Sequence, residues 1–172
     1  NVTNIYLRNN EIVGVPAGTF TNYTNLEFLD MTSNVLREIS PTAFTGTNIK
    51  NLDNAFSDFK RLAILHLSWN RLTFISPTAF TGTRIKRLLL DHNLLTNFPD
   101  LAQIGSTLIG LEIQYNRIEQ MNADQLSSLT QLDFLDLSEN KNLPAGLPFK
   151  HGFVRVSRLY LKRTLFTNIT NE

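Results

Sequence analysis

Apolar and polar residues alternate in a frame that returns seven times along this 172-residue chain. An aliphatic residue stands at −8, −5 and −3 from an asparagine, and another follows at +2 or +3. The frames run V-x-x-I-x-L-x-x-N-x-I (Val2 to Ile12), L-x-x-L-x-M-x-x-N-x-L (Leu26 to Leu36) and L-x-x-L-x-L-x-x-N-x-L (Leu62 to Leu72). They continue over Ile85 to Leu95, Leu108 to Ile118 and Leu132 to Leu143. The asparagines are Asn10, Asn34, Asn70, Asn93, Asn116 and Asn140; the seventh frame, Val156 to Phe166, carries Thr164 in their place. Period-two alternation around Leu65 and Leu67 predicts a short strand with both leucines on one face. One such strand cannot bury its leucines alone, whereas a stack of coils shares a continuous core. Each asparagine ends a strand where the chain turns. There a stacked amide offers buried backbone groups both a donor and an acceptor. Thr164 has only a hydroxyl, so the ladder is expected to weaken at the last coil.

Large apolar residues come ten positions after four of these asparagines: Phe20, Phe44, Phe80 and Leu126. They are expected to fill the space between the strands and the outer wall. Frame starts are spaced 24, 36, 23, 23, 24 and 24 residues apart. The 36-residue interval is the anomaly. Residues 40–52 nearly duplicate 76–88, so Ile49 and Leu52 open a new frame, but Leu62 opens the next only 13 residues later. The segment at 49–61 therefore reads as a repeat with its middle deleted, absorbed on the outer wall, with a protruding element that shapes a binding site as the alternative. Within it Asp53 to Arg61 suits a short helix, with Asp53 as N-cap and Phe56 and Phe59 facing inward.

The frame resembles the leucine-rich repeat over nearly the whole chain. The resemblance implies an α/β solenoid: a horseshoe with a parallel β-sheet on its concave face, here of about seven coils in one domain, 1–172. A period of about 24 with a phenylalanine spine is similar to the extracellular class. The stretches LTFISPTAF (72–80) and IVGVPAGTF (12–20) look most like Toll-like receptor ectodomains and variable lymphocyte receptors. That resemblance implies non-covalent recognition of a protein or glycan ligand on the inner wall, often in immune defence. The disulfide-bonded caps usual in that class are absent, since the chain has no cysteine.

Composition narrows the function further. Lys+Arg 16 against Asp+Glu 15 leaves a net charge of +1, which makes no electrostatic case for nucleic acid. No apolar run of roughly 18 residues exists, so no membrane span is expected. No signal-peptide pattern opens the chain, and Asn1 is already inside a repeat, so it reads as a mature or excised fragment. Three sequons, at Asn1, Asn22 and Asn168, point to an extracellular glycoprotein, and none falls on the central inner wall.

By alternation, the variable positions between the buried leucines form the inner wall. Candidate ligand-binding residues there are Phe28, Asp30, Ile64, His66, Trp69, Arg87, Leu89, Asp91, His92, Glu112, Gln114, Tyr115, Phe134, Asp136, Tyr160 and Lys162. Phe28, Ile64, Trp69, Leu89, Tyr115 and Phe134 are large apolar or aromatic groups at positions expected to see solvent, which marks a binding site. Acidic groups occupy the middle coils and basic ones (Arg158, Lys162, Arg163) the last, with cross-strand pairing of Asp136 or Glu139 to Lys162 as the purely structural alternative. His66 and His92, near Asp91 and Glu112, have the residue types of a zinc or acid–base site. An alternating wall brings such residues together everywhere, and Ser68 beside His66 lacks a third group to orient the imidazole. The sequence therefore reads as a binding module, not an enzyme, with no cofactor and no metal. The alternative is a structural or adhesion protein that self-associates, as a homodimer, through its edges or ends.

Overall fold

In the computed structural model the described residues are 2–39, 62–143 and 155–165. Seven three-residue strands form one parallel sheet: β1 (Asn4–Tyr6), β2 (Phe28–Asp30), β4 (Ile64–His66), β6 (Arg87–Leu89), β7 (Gly110–Glu112), β8 (Phe134–Asp136) and β9 (Arg158–Tyr160). Each pairs with the next in an unshifted register, so equivalent positions of successive coils line up in rows across the sheet. At ~4.8 Å between strands the sheet is roughly 30 Å wide. The central row, Leu29, Leu65, Leu88, Leu111 and Leu135, is fully buried, as are Leu67, Leu90, Ile113 and Leu137 two residues on. Parallel strands need a crossover between them. Where it is described, the crossover is the return half of a coil, which closes the core from the other side with Phe20, Phe80 and Leu126. Phe44 lies outside the described residues.

Among the described residues the return side holds little regular structure. Two short strands, β3 (Glu38–Ile39) and β5 (Phe74–Ile75), pair in parallel. A 3₁₀ turn spans Ala102–Ile104 and a single-turn helix, α1, spans Ala123–Ser127. The helix starts where it does because Asn122 and Gln125 form a reciprocal capping box, each side chain bonding the other's backbone N–H.

Across the 36-residue interval the sheet does not skip a strand. β2 pairs directly with β4, Leu29 opposite Leu65, and β3 pairs directly with β5. The proposed helix over 53–61 and the truncated repeat at 49–61 lie outside the described residues.

Candidate functional site

The turn that follows each strand builds the site. Asn93 accepts from the Leu72 N–H of the preceding coil (2.9 Å) and donates to the Leu67 carbonyl of that coil and to Leu90 of its own (both 3.0 Å). Asn34, Asn70, Asn116 and Asn140 repeat this pattern. The amide ladder read from the sequence is thus present, and it runs unbroken from Asn34 to Asn70. At the seventh coil Thr164 donates to Leu161 of its own turn, and among the described residues its side chain makes no bond across coils.

The residue before each rung adopts a left-handed backbone: Asn9, Ser33, Trp69, His92, Tyr115, Glu139 and Arg163, with φ between 53° and 60°. For bulky residues this conformation is costly unless the surroundings fix it. The cross-coil ladder does so: the Trp69 N–H donates to the Asp91 carbonyl, His92 to Gln114 and Tyr115 to Ser138. Seven equivalent positions are thereby lined up along one edge of the sheet, with Glu139 the buried member of the row.

Three consecutive members of that edge are rings, and they stack. Trp69 and His92 lie 3.8 Å apart between centroids and 10° from parallel; His92 and Tyr115 lie 4.3 Å apart and 18° from parallel. Trp69 is 57% and Tyr115 47% exposed, while His92, between them, is half-buried. Asp91 holds the stack from below. One carboxylate oxygen is 2.9 Å from His92 Nδ1 and the other accepts from the Ser68 hydroxyl. The histidine of the suggested acid–base site is thus a spacer between two larger rings, oriented by a buried carboxylate.

The expectation that every wall position faces solvent fails at Asp30, Ser68, Asp91, Ser138 and Glu139, all of which are buried. The strands last only three residues, so alternation ends before the turn and positions such as Ser68 and Asp91 fold under the edge row. Asp30 is flanked in register by Tyr6 and His66 and turns its carboxylate to the Thr32 N–H (2.9 Å). Asp136 does the same with Ser138 (2.9 Å). Phe28, Ile64, Leu89, Glu112, Gln114 and Phe134 are half-buried, and Gln114 Oε1 is enclosed with no hydrogen-bond partner among the described residues. Lys162 is exposed, and Tyr160 packs on Phe134 with centroids 5.4 Å apart. Cross-strand ion pairs form as Arg87–Glu112 (3.0 Å), Arg158–Asp133 (2.7 Å) and Arg163–Glu139 (3.1 Å). Glu139 thus pairs with Arg163, not with Lys162.

His66 lies edge-on to Phe28 with ring centroids 5.0 Å apart. Burial lowers its pKa below the usual 6.5, against the opposing pull of Asp30 and Glu112. The unfolded chain then takes up this proton more readily than the folded one. Stability from this group is present above pH 6.5 and declines as pH falls below it. The expected result is that the stability advantage of wild type over His66→Gln shrinks between about pH 7.5 and about pH 5.5 in paired denaturant titrations.

A second feature lies on the sheet itself. A shallow cleft of about 260 Å³ is lined by Arg87, Ile109, Gly110, Phe134 and Arg158. Arg87, Gly110, Phe134 and Arg158 are register partners on four successive strands, so the cleft is the gap that glycine leaves in one row. The sequence signal for it is a glycine interrupting a line of large wall residues. A wider depression of about 590 Å³ runs beside the aromatic edge, lined by residues that include His92, Tyr115, Arg117, Glu139, Lys141 and Asn142. Among the described residues no cluster of three metal-ligating side chains occurs, and no helix is long and apolar enough to cross a membrane.

Known proteins share this architecture. Over 98% of its length the chain is 31% identical to human lumican and 33% identical to lumican of Coturnix japonica. It spans 45% of each of those proteins. Among solved structures, TLR13 in the TLR13–ssRNA13 complex matches 98% of this chain and 26% of its own, at TM-score 0.67 and 23% identity. The internalin inlF of Listeria monocytogenes matches 94% of this chain and 41% of its own, at TM-score 0.61 and 17% identity. At such identities these two likenesses concern the fold. The leucine-rich repeat family model matches residues 1–53, 47–95 and 83–141. With the repeat frame, the amide ladder and the parallel sheet, these matches place the chain in the leucine-rich repeat family.

Proposed function

We propose that this chain is an extracellular recognition module, of the immune-receptor or pattern-recognition kind, that binds a protein or glycan ligand on its sheet face. The stack of Trp69, His92 and Tyr115 carries the reading. Three rings held side by side in a costly backbone conformation, with the outer two about half exposed, are not needed for the core, which the leucines already fill. Tryptophan and tyrosine are the residue types that most often dominate binding energy, because a rigid ring buries much surface at small entropic cost. Ion pairs on both sides, Arg87–Glu112 and Arg163–Glu139, suit the polar rim of such a surface. The function is recognition without catalysis: the carboxylate nearest a histidine, Asp91, is buried and already engaged by Ser68 and His92.

An extracellular setting is supported by the near-24 period and by the sequon at Asn22. That residue sits exposed in the turn that follows Phe20, away from the sheet; Asn1 and Asn168 lie outside the described residues. Expression in a secreting eukaryotic host should add one glycan at Asn22, seen as a mass lost on amidase digestion and absent in Asn22→Gln. Wild-type mass unchanged by digestion would count against the assignment.

A protein and glycan array probed with the purified chain tests the function directly. The reading requires a ligand whose signal falls when Trp69→Ala is introduced. The adhesion alternative predicts instead a dimer in light scattering that survives both Trp69→Ala and Tyr115→Ala.

A further inference from the structure

The row that crosses the sheet one residue before the buried central leucines reads Asn4, Phe28, Ile64, Arg87, Gly110, Phe134, Arg158. Six members carry side chains and one does not. A glycine inside a strand is destabilising against alanine, so it calls for a reason. Backbone conformation does not supply one, because the only described glycines with positive φ are Gly18 and Gly82. Packing does not supply one either: a Cβ at Gly110 would meet only Arg87 Cγ at 3.7 Å and Nε at 3.9 Å, an ordinary contact. What glycine does leave is a row position without a side chain, buried beneath the Arg87 stem at the border of the cleft, and glycine within a strand often marks a place where a ligand approaches closely.

The walls of that opening define its chemistry. Arg87 and Arg158 stand on either side, each more than half exposed. Among the described residues each guanidinium has one ion-pair partner, Glu112 or Asp133, bonded through a single NH2 group, and the rest of its donor fork is not used in those pairs. Ile109 and Phe134 complete an apolar lining. The Phe134 ring is already covered by Arg158, whose guanidinium carbon lies 5.2 Å from its centroid, so the ring face is not open for a sugar to stack on. The cavity is also smaller than the roughly 300–1,000 Å³ of sites that enclose drug-sized molecules. One side chain with a short apolar stem and an anionic, fork-matching end fits both the size and the charges.

We infer that the Arg87–Gly110–Arg158 cleft is a specificity pocket for an acidic side chain, glutamate or aspartate, presented by a protein ligand. The stem lies over Gly110 against Ile109 and Phe134, and the carboxylate accepts from the two guanidinium groups. This rests on the reading of the sheet face as a protein-binding surface, and it gives that surface a second anchor, on the strands, apart from the aromatic edge.

The test uses two blocked tripeptides, acetyl-Gly-Glu-Gly-amide and acetyl-Gly-Gln-Gly-amide, titrated into the protein while the arginine side-chain N–H resonances are followed by NMR. The glutamyl peptide should shift Arg87 and Arg158 along one saturable curve and the glutaminyl peptide should not. Gly110→Val, which fills the floor, should weaken the glutamyl peptide at least about tenfold, as one lost anchor of roughly 1.4 kcal/mol would. Arg158→Gln should do the same and serves if the valine variant does not fold. Equal shifts from both peptides, no saturable shift from either, or undiminished affinity in either folded variant would overturn the pocket. So would a sulfated disaccharide that shifts both arginines where the glutamyl peptide does not. None of those outcomes bears on Trp69→Ala and the array ligand, so the pocket can fail while the recognition reading stands.

Discussion

Asn93→Ala should lower the stability of the chain by about 2–4 kcal/mol, seen as a fall in the denaturant midpoint with little change in the binding face. Its amide bonds three buried backbone groups within 3.0 Å, the Leu72 N–H and the Leu67 and Leu90 carbonyls, two of them in the neighbouring coil, and reaches the Asp91 carbonyl at 3.3 Å. Asn93 is only 4% exposed, so water cannot replace the lost partners. An unsatisfied buried backbone group costs about 1–3 kcal/mol, and partial relaxation keeps the total below the simple sum. Asn10→Ala is the matched control. Asn10 is exposed and bonds only Leu7 and Arg8 of its own turn, so its loss should cost less than about 1 kcal/mol. Equal effects at Asn10 and Asn93 would show that the ladder does not hold the coils together.

Trp69→Ala should weaken ligand binding by about 30-fold or more, the loss expected of a central aromatic anchor worth roughly 2 kcal/mol. Folding should change by only about 1 kcal/mol or less, because the side chain's described ring contact is His92 and the backbone bond to Asp91 survives the substitution. His92→Ala should act more weakly and through its neighbours, since Trp69 and Tyr115 would lose the ring that holds them parallel. Surface plasmon resonance against a ligand found by array, with melting curves for each variant, reads both quantities. Affinity untouched by Trp69→Ala would falsify the aromatic edge as the binding surface.

Much of this molecule was legible in the residue pattern. The frame located all seven strands of the sheet, and the asparagine at its centre named the ladder, because both follow from side-chain chemistry repeated at a fixed interval. Five of the six frame spacings are 23 or 24 residues, and across the sixth, of 36, the ladder skips no rung. Asn70 bonds straight to Met31 and Leu36 of the preceding described coil.

The binding surface was legible only in outline. Alternation put Ser68 and Asp91 on the same open wall as Trp69, yet both are buried. A one-dimensional pattern assumes that the strand continues, whereas each strand ends after three residues and a left-handed residue redirects the next side chain. The stacking of Trp69, His92 and Tyr115, and the alignment of Arg87, Gly110 and Arg158, depend on the unshifted register of strands more than twenty residues apart. By itself, then, the sequence determined the repeat, its core and the amide that turns each coil, since those are local and recur. Only the tertiary structure decided which wall residues meet, because contacts between coils are set by backbone hydrogen bonds across the sheet, and those carry no residue signature.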